Sequence, residues 1–275
     1  MFFWIYDIPT WKLVVLVTGV FVGATWASTI FIRPILRAFI RSQSGVNDIV
    51  SYMLGSHGVY FGILIGLLAL SAYDNLNSAQ VQVTIESARL AAIYRDVSTY
   101  PEPFRDNLQS RLKEYTRYVI DEAWPLQRKG LIPRKGSQLV TQFHLELTKF
   151  EPKTPAQEIL HAEALSAFNS FIEARRLRLY AVGNGIPMIM WYVVFIGAVT
   201  NIVLVLLLDM KLLPHLFFGA ISTFFLATLI AFVAAMDNPF RGEVSISPRA
   251  FELVYEDLMS GELQSESPPS SPDSK

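Results

Sequence analysis

The chain has 275 residues, a net charge of −1 and no cysteine. Only 17% of its residues are charged and its mean hydropathy is +0.34, whereas a soluble domain is about one-quarter charged. The composition therefore indicates a membrane protein. The missing cysteines exclude disulfides and thiolate metal sites, and the near-zero charge gives no reason to expect binding to nucleic acid.

Four apolar segments are long enough to cross a bilayer, because about 20 residues in a helix cover the ~30 Å hydrocarbon layer. The first follows an opening without a basic region and is too long for a signal peptide, so we interpret it as a retained span. The third and fourth are separated by three residues, which predicts antiparallel neighbours. The segments are residues 13–32, 51–77, 188–208 and 212–236.

A basic stretch follows the first span. Arg33, Arg37 and Arg41 recur every four residues and so share one face of a predicted amphipathic continuation. Two interpretations are open: the arginines reach lipid headgroups, or they form a cationic mouth that attracts anions.

The second span carries a stripe of glycines, Gly55, Gly58, Gly62 and Gly66, at helical spacing. Such small-residue stripes let helix backbones approach closely in lipid. The stripe either packs this span against another helix or seats a pore-lining helix against its neighbours. The helical pattern then continues without Gly or Pro, which predicts one helix over residues 53–97.

The polar middle, residues 76–183, is predicted to form a helical domain without a sheet, because it shows no sustained alternation of polar and apolar residues. Trp124 and Pro125 are expected to close its first helix. Thr154 and Gln157 form a capping box that opens its last helix. The three predicted helices cover residues 101–123, 137–150 and 154–180.

The sequence thus predicts an all-α membrane protein with four transmembrane helices and a helical domain between spans two and three. A helix capped at Ser247-Pro248 should run to Met259, and the Ser/Pro-rich end should be disordered. The predicted segments are residues 1–75 (spans one and two), 76–183 (the middle domain), 184–237 (spans three and four), 238–260 (a turn and short helix) and 261–275 (the tail).

The sequence has no catalytic motif. It lacks a zinc-protease motif, a phosphate-binding loop and a dinucleotide fingerprint, and none of its four histidines has a partner at ligand spacing. We therefore predict neither an enzyme nor a bound cofactor or metal.

Two groups of residues remain as candidate functional sites, one charged and one with the composition of a turn. Glu86 lies on the long helix, and Arg175, Arg176 and Arg178 lie on the last helix of the middle domain. They form either a salt bridge between helices or between subunits, or a basic ring that faces a permeation path. After span four, Asp237, Asn238, Pro239, Phe240 and Gly242 read as an anchored membrane-exit turn.

That turn resembles the Asn-Pro-Phe-Gly segment that follows the last span in bestrophins. The four spans, the helical middle domain and both ends on its side also match, and the whole chain is similar to bestrophin-like membrane proteins. Further matching points are Glu86-Ser87-Ala88-Arg89-Leu90, Tyr115, Glu122-Ala123-Trp124, Arg175-Arg176-Leu177-Arg178, Pro187 and Trp191.

The resemblance implies a homo-oligomeric anion channel, a pentamer, with its pore on the symmetry axis. It places an apolar neck on the second span at Val59, Ile63, Leu67 and Leu70. The expected partners are further copies of the chain, the lipid bilayer and inorganic anions. The expected location is the plasma (inner) membrane, with both termini and the middle domain in the cytoplasm.

The chain departs from bestrophins at three points. Arg241 is inserted in the turn motif, the neck is aliphatic, and residues 244–247 replace the acidic run of the animal calcium clasp, so we predict no calcium gating. The alternative function is a non-conducting membrane scaffold or sensor whose middle domain binds a partner. An ion-coupled transporter is disfavoured, because no span carries an acidic residue at mid-bilayer depth.

Overall fold

The structure, a computed structural model, describes residues 3–40 and 45–260, and within these ranges it contains helices and no strand. The predicted disordered tail and Arg41 lie outside the described residues. The α-helices are α1 (Thr10–Phe31), α2 (Arg33–Ile40), α3 (Val46–Val97), α4 (Phe104–Tyr118), α5 (Trp124–Gln127), α6 (Lys135–Leu147), α7 (Pro155–Val182), α8 (Met188–Leu207), α9 (Leu212–Met236) and α10 (Arg249–Val254).

Four of these helices, α1, α3, α8 and α9, are long and apolar enough to cross a membrane, as the sequence predicts. The helix of the second span, α3, has 52 residues and so extends about 78 Å. It begins earlier than predicted because Gly45 adopts a positive φ of 87°, a conformation that ends one segment and lets the next helix start at Val46. Its uninterrupted course to Val97 confirms the prediction of a single helix.

The chain divides into two compact units. The membrane unit is Met1–Leu76 with Asn184–Ser245, and the polar unit is Asn77–Gly183 with Ile246–Lys275. The polar unit thus includes the C-terminal helix as well as the predicted middle domain.

The core of the membrane unit forms where one face of α3 meets α8 and α9. The buried residues of this core are Phe61, Ile65, Leu68, Ala72, Ile186, Val194, Ala198, Ile230, Val233 and Met236. Gly197 lets α8 approach closely, because a Cβ at that position would overlap the ring of Phe61.

The connection between α8 and α9 is held by polar side chains from α2 and α3. Arg33 is buried and donates to the carbonyl oxygens of Leu208 and Met210. The Asn47 side chain donates to the Asp209 carbonyl at 2.8 Å and accepts from the Asp209 N–H at 2.7 Å. Arg33 therefore caps a helix hairpin, a role that neither sequence interpretation of the three arginines anticipated.

The polar unit corrects one predicted helix end. Trp124 and Pro125 do not close the first helix, because a π-helical turn at Val119–Ala123 leads directly into α5. The Trp124 N–H donates to the Val119 carbonyl, so helical bonding continues up to Pro125, which has no N–H to donate. Single π-turns of this kind occur inside α-helices without ending them.

The predicted caps at the other helix starts are partly confirmed. The Thr154 hydroxyl accepts from the Gln157 N–H at 3.2 Å, while the Gln157 side chain accepts from the Lys153 N–H at 2.7 Å. At α10 the expected Ser247 cap is absent: Pro248 takes the N-cap position and no side chain caps the helix. A second π-turn, Tyr255–Met259, carries the helix to the predicted end.

Candidate pore helix and its anchors

The membrane part of α3 has two unlike faces. Phe61, Ile65 and Leu68 are buried in the core of the membrane unit. The predicted neck residues lie on the other side and are between 55% and 61% exposed: Val59, Ile63, Leu67 and Leu70. A whole apolar face of this helix is therefore left without a covering partner in the described part of the chain.

The glycine stripe belongs to the same uncovered side. A Cβ built on any of its four glycines would meet no atom within 4 Å. The stripe therefore does not pack against another helix of the same chain. Glycine lowers the stability of a helix, and a face that contacts only lipid gains nothing from it. If the stripe serves close packing of helices, the partner helix must therefore belong to another molecule.

A buried ion pair anchors the second half of α3 within the polar unit. Glu86 and Arg178 are both buried, at 0% and 1% exposure. The Arg178 Nε donates to one carboxylate oxygen of Glu86, and its Nη2 donates to the other at 3.2 Å. This two-point contact fixes α3 against α7 with defined geometry.

Neutral groups complete the surroundings of this pair. The Tyr115 hydroxyl donates to Glu86 at 2.8 Å, and Gln127 accepts from Arg178 at 2.7 Å. The guanidinium also lies over the rings of Trp124 and Phe251, at 5.7 Å and 5.5 Å from their centroids. Every charge in the cluster thus has hydrogen-bond partners, the condition under which a buried pair is tolerated.

The pKa values in this cluster follow from its burial. Burial raises the pKa of the Tyr115 hydroxyl, and the neighbouring Glu86 carboxylate raises it further. Burial alone would lower the pKa of Arg178, but Glu86 and Tyr115 outweigh that effect and raise it. The tyrosine therefore stays a neutral donor and the arginine stays charged throughout the physiological range.

The three arginines predicted as a basic ring occupy different environments. Arg178 forms an ion pair with Glu86. This contact corresponds to the salt bridge that was one of the two interpretations of the sequence. Arg175 is buried and donates to the Ser137 hydroxyl at 3.2 Å. Arg176 is exposed, so it alone among the three presents its side chain at the surface of the polar unit.

The turn after α9 makes contacts with two other segments of the membrane unit. Asp237 is buried and accepts from the Tyr6 hydroxyl at 3.0 Å and from the Ile186 N–H. Phe240 is fully buried, and Gly242 adopts a positive φ of 82° that favours glycine. The turn therefore joins the segment before α1 to the segment before α8.

The segment before α1 has a second attachment in the same turn. Glu243 accepts a hydrogen bond from the Thr10 N–H at 2.8 Å, which satisfies a free donor of the first turn of α1. Burial raises the pKa of Asp237, and the Ile186 N–H, the Tyr6 hydroxyl and the nearby Trp191 N–H oppose that rise. Sequence reasoning missed Tyr6 and Glu243, because partners more than 200 residues apart leave no local pattern.

Three of the four histidines, His57, His144 and His161, contact aromatic rings. His57 stacks on Phe61 with ring centroids 5.4 Å apart, and His161 accepts or donates a 2.7 Å hydrogen bond with Tyr100. Across residues 3–40 and 45–260, no three side chains of the metal-binding types cluster around a common point.

One family model matches most of the chain, and two solved structures share its fold. A family model described as Bestrophin-like domain matches residues 19–251. A variant of a bacterial bestrophin homologue from Klebsiella pneumoniae has a similar structure, with a TM-score of 0.64 and 10% identity over 89% of this chain and 97% of that one. A second variant of that homologue gives 0.62, with 9% identity over 86% and 96% of the two chains. No curated protein matches the sequence.

Proposed function

Because the chain belongs to the bestrophin-like family, a family of ion channels, we propose that it forms a homo-oligomeric, anion-selective channel. The observation that carries the proposal is the uncovered face of α3, where four aliphatic residues and four glycines lie side by side. Copies of α3 around a common axis would bury the glycines between subunits and turn Val59, Ile63, Leu67 and Leu70 toward the pore.

The neck would act as an apolar constriction. No charged residue occurs between Asp48 and Asp74 on this helix, so the neck offers no group to replace the hydration shell of an ion. Hydrophobic constrictions of this kind gate by dewetting. Anion selectivity would then depend on charged groups outside the neck. Of the three arginines of the predicted basic ring, only Arg176 is exposed, and it is therefore the candidate for this role.

The family resemblance supports the remaining details. It favours five subunits around the axis, a plasma (inner) membrane location, and a cytoplasmic position for the polar unit. The departure from animal bestrophins at residues 244–247, which carry no carboxylate, favours currents that are independent of calcium.

The test is to reconstitute the purified protein into planar bilayers with unequal KCl on the two sides. We expect currents that reverse near the chloride equilibrium potential and that are unchanged when calcium is chelated. Cross-linking in the same preparation should give one closed oligomer. A protein that assembles but passes no current at any salt or pH would favour the scaffold or sensor alternative, and a monomer in lipid would exclude both a pore and its neck.

A further inference from the structure

The membrane unit contains a long apolar groove that the proposed pore does not use. It has a volume of about 520 Å³ and lies between α1 and α8, over α9. Its apolar lining includes Leu16, Val20, Phe195, Ala198 and Ile230. Val20 and Phe195 at its mouth are 60% and 65% exposed, so in a bilayer the groove opens to the hydrocarbon.

The groove is polar at one end only. Tyr6, Trp191 and Asp237 line that end, and they lie before α1, near the start of α8 and after the end of α9. These positions belong to one face of the membrane. The polar end therefore lies at the level where headgroups and ester groups meet the hydrocarbon, while the apolar part extends inward.

The depth of the groove matches one leaflet. The lining ends at Phe21 on α1 and at Ala198 on α8, about 15–17 Å from the first residues of those helices at 1.5 Å per residue. Half of the hydrocarbon layer is also about 15 Å. A transmembrane helix would need a groove along the full length of α1 to Phe31, but the lining stops near Phe21.

The polar end presents a hydrogen-bond donor in need of an acceptor. The Trp191 Nε1 is buried and makes no hydrogen bond of standard geometry, although it lies close enough to the Asp237 carboxyl to lower the pKa of that group. The Asp237 carboxyl nearby already accepts from Tyr6 and Ile186. A buried indole N–H normally finds a partner, and a carbonyl oxygen at the mouth of the groove would supply one.

We propose that the groove binds one acyl chain of a membrane phospholipid, with the ester carbonyl of that chain accepting a hydrogen bond from Trp191. The chain would come from the leaflet on the side of the N-terminus and would cover apolar surface of α1, α8 and α9. This site is independent of ion conduction, so it would exist in a channel and in a non-conducting scaffold alike.

The first test fills the groove. Val20→Phe places a ring at its mouth, and Val15→Phe is the matched control, since Val15 lies on the same helix at 62% exposure and does not line the groove. Both proteins are purified from membranes, and native mass spectrometry counts the phospholipids that each protomer retains. We expect one tightly held phospholipid in the unchanged protein and in Val15→Phe, and its loss in Val20→Phe. Equal retention by the two variants would overturn the proposal.

The second test addresses the hydrogen bond. After delipidation, the unchanged protein is loaded with a diacyl phospholipid or with its diether analogue, which lacks the ester carbonyl. We expect the diether to be retained about three- to ten-fold less, as for the loss of one hydrogen bond of ordinary net strength. Trp191→Phe should retain the two lipids equally, and a preference for the diacyl lipid that persists in this variant would contradict the role of Trp191.

The competing occupant is a helix from a second copy of the chain. The chain has no cysteine, so a single Val20→Cys substitution gives a unique reporter. We expect its thiol to react with a maleimide-bearing lipid and not to cross-link to another copy through a short homobifunctional reagent. Efficient cross-linking between copies through position 20 would show a protein interface in place of the lipid site.

Discussion

Glu86 and Arg178 form a fully buried ion pair between α3 and α7. The pair is enclosed by Tyr115, Gln127 and two aromatic rings. Because buried charges are costly unless both are present and hydrogen-bonded, the pair fixes the second half of α3 against α7 within the polar unit.

The first prediction concerns this pair. Arg178→Gln should lower the free energy of unfolding of the polar unit by about 3–5 kcal/mol, because it leaves the Glu86 carboxylate buried without its partner. Thermal unfolding of the purified protein, followed by near-UV circular dichroism, measures the loss. Arg176→Gln is the control: Arg176 is exposed on the same helix, and its substitution should change stability by no more than about 0.5 kcal/mol.

Removing both charges separates the pair from its packing. The double variant Glu86→Leu/Arg178→Met should recover most of the loss, because neither charge then remains in the core. If Arg178→Gln and Arg176→Gln were equally stable, the burial of the pair would have no energetic role in this unit.

The spans and the long helix could be predicted because their signals are local. Apolar windows of about 20 residues mark the membrane helices, and α3 continues to Val97 because no Gly or Pro interrupts its second half. The π-turn before Trp124 could not be predicted in the same way. Tyr118, Val119 and Ala123 are buried at this turn, and burial by distant parts of the chain leaves no local pattern in the sequence.

The anchors show a similar division. Arg178 shares a buried face of α7 with Phe171, Ala174 and Ala181 at helical spacing, so the sequence does carry a signal for its burial. The identity of its partner Glu86 is not local and needed the structure. The Tyr6–Asp237 contact joins residues 231 positions apart, and no periodicity or motif connects them.

The second prediction concerns the proposed neck. Ile63→Ala should raise single-channel conductance by about two-fold or more, because a wider apolar constriction is easier to wet. Recordings in planar bilayers measure it. Ile196→Ala is the control, since Ile196 on α8 is similarly exposed, 63% against 58%, but lies off the α3 face. A neck variant that conducts no better than the control would place Ile63 away from the pore.

The third prediction concerns the glycine stripe. Gly62→Leu should weaken subunit association by about ten-fold or more, because the added side chain keeps adjacent helices apart. A leucine at this position meets no atom of its own chain within 4 Å of the Cβ, so the fold of the subunit should be preserved. Chemical cross-linking across a dilution series in detergent measures association.

Gly23→Leu provides the matched comparison for that experiment. Gly23 lies on α1 and also has open space around its Cβ position, so the substitution adds the same apolar bulk to a different span. The stripe would have no part in assembly if both variants associated like the unchanged protein, or if both weakened association equally.

The fourth prediction concerns the pH dependence of the membrane-exit turn. Burial raises the pKa of Asp237 above its ordinary value, which is about 3.9 in the unfolded chain. The folded state therefore binds the proton more tightly, so stability from this group is greatest at low pH and is lost as the pH rises through the raised pKa.

Asp237→Asn keeps a similar shape and an oxygen acceptor for Ile186 but cannot ionise. Its thermal midpoint should thus rise relative to that of the unchanged protein as the pH increases from 4 to 7. Asp7→Asn removes the same charge from an exposed position in the segment before α1 and should show no such trend. A midpoint difference for Asp237→Asn that stays constant, or that shrinks with rising pH, would mean that its hydrogen bonds from Tyr6 and Ile186 outweigh the cost of burying the carboxylate.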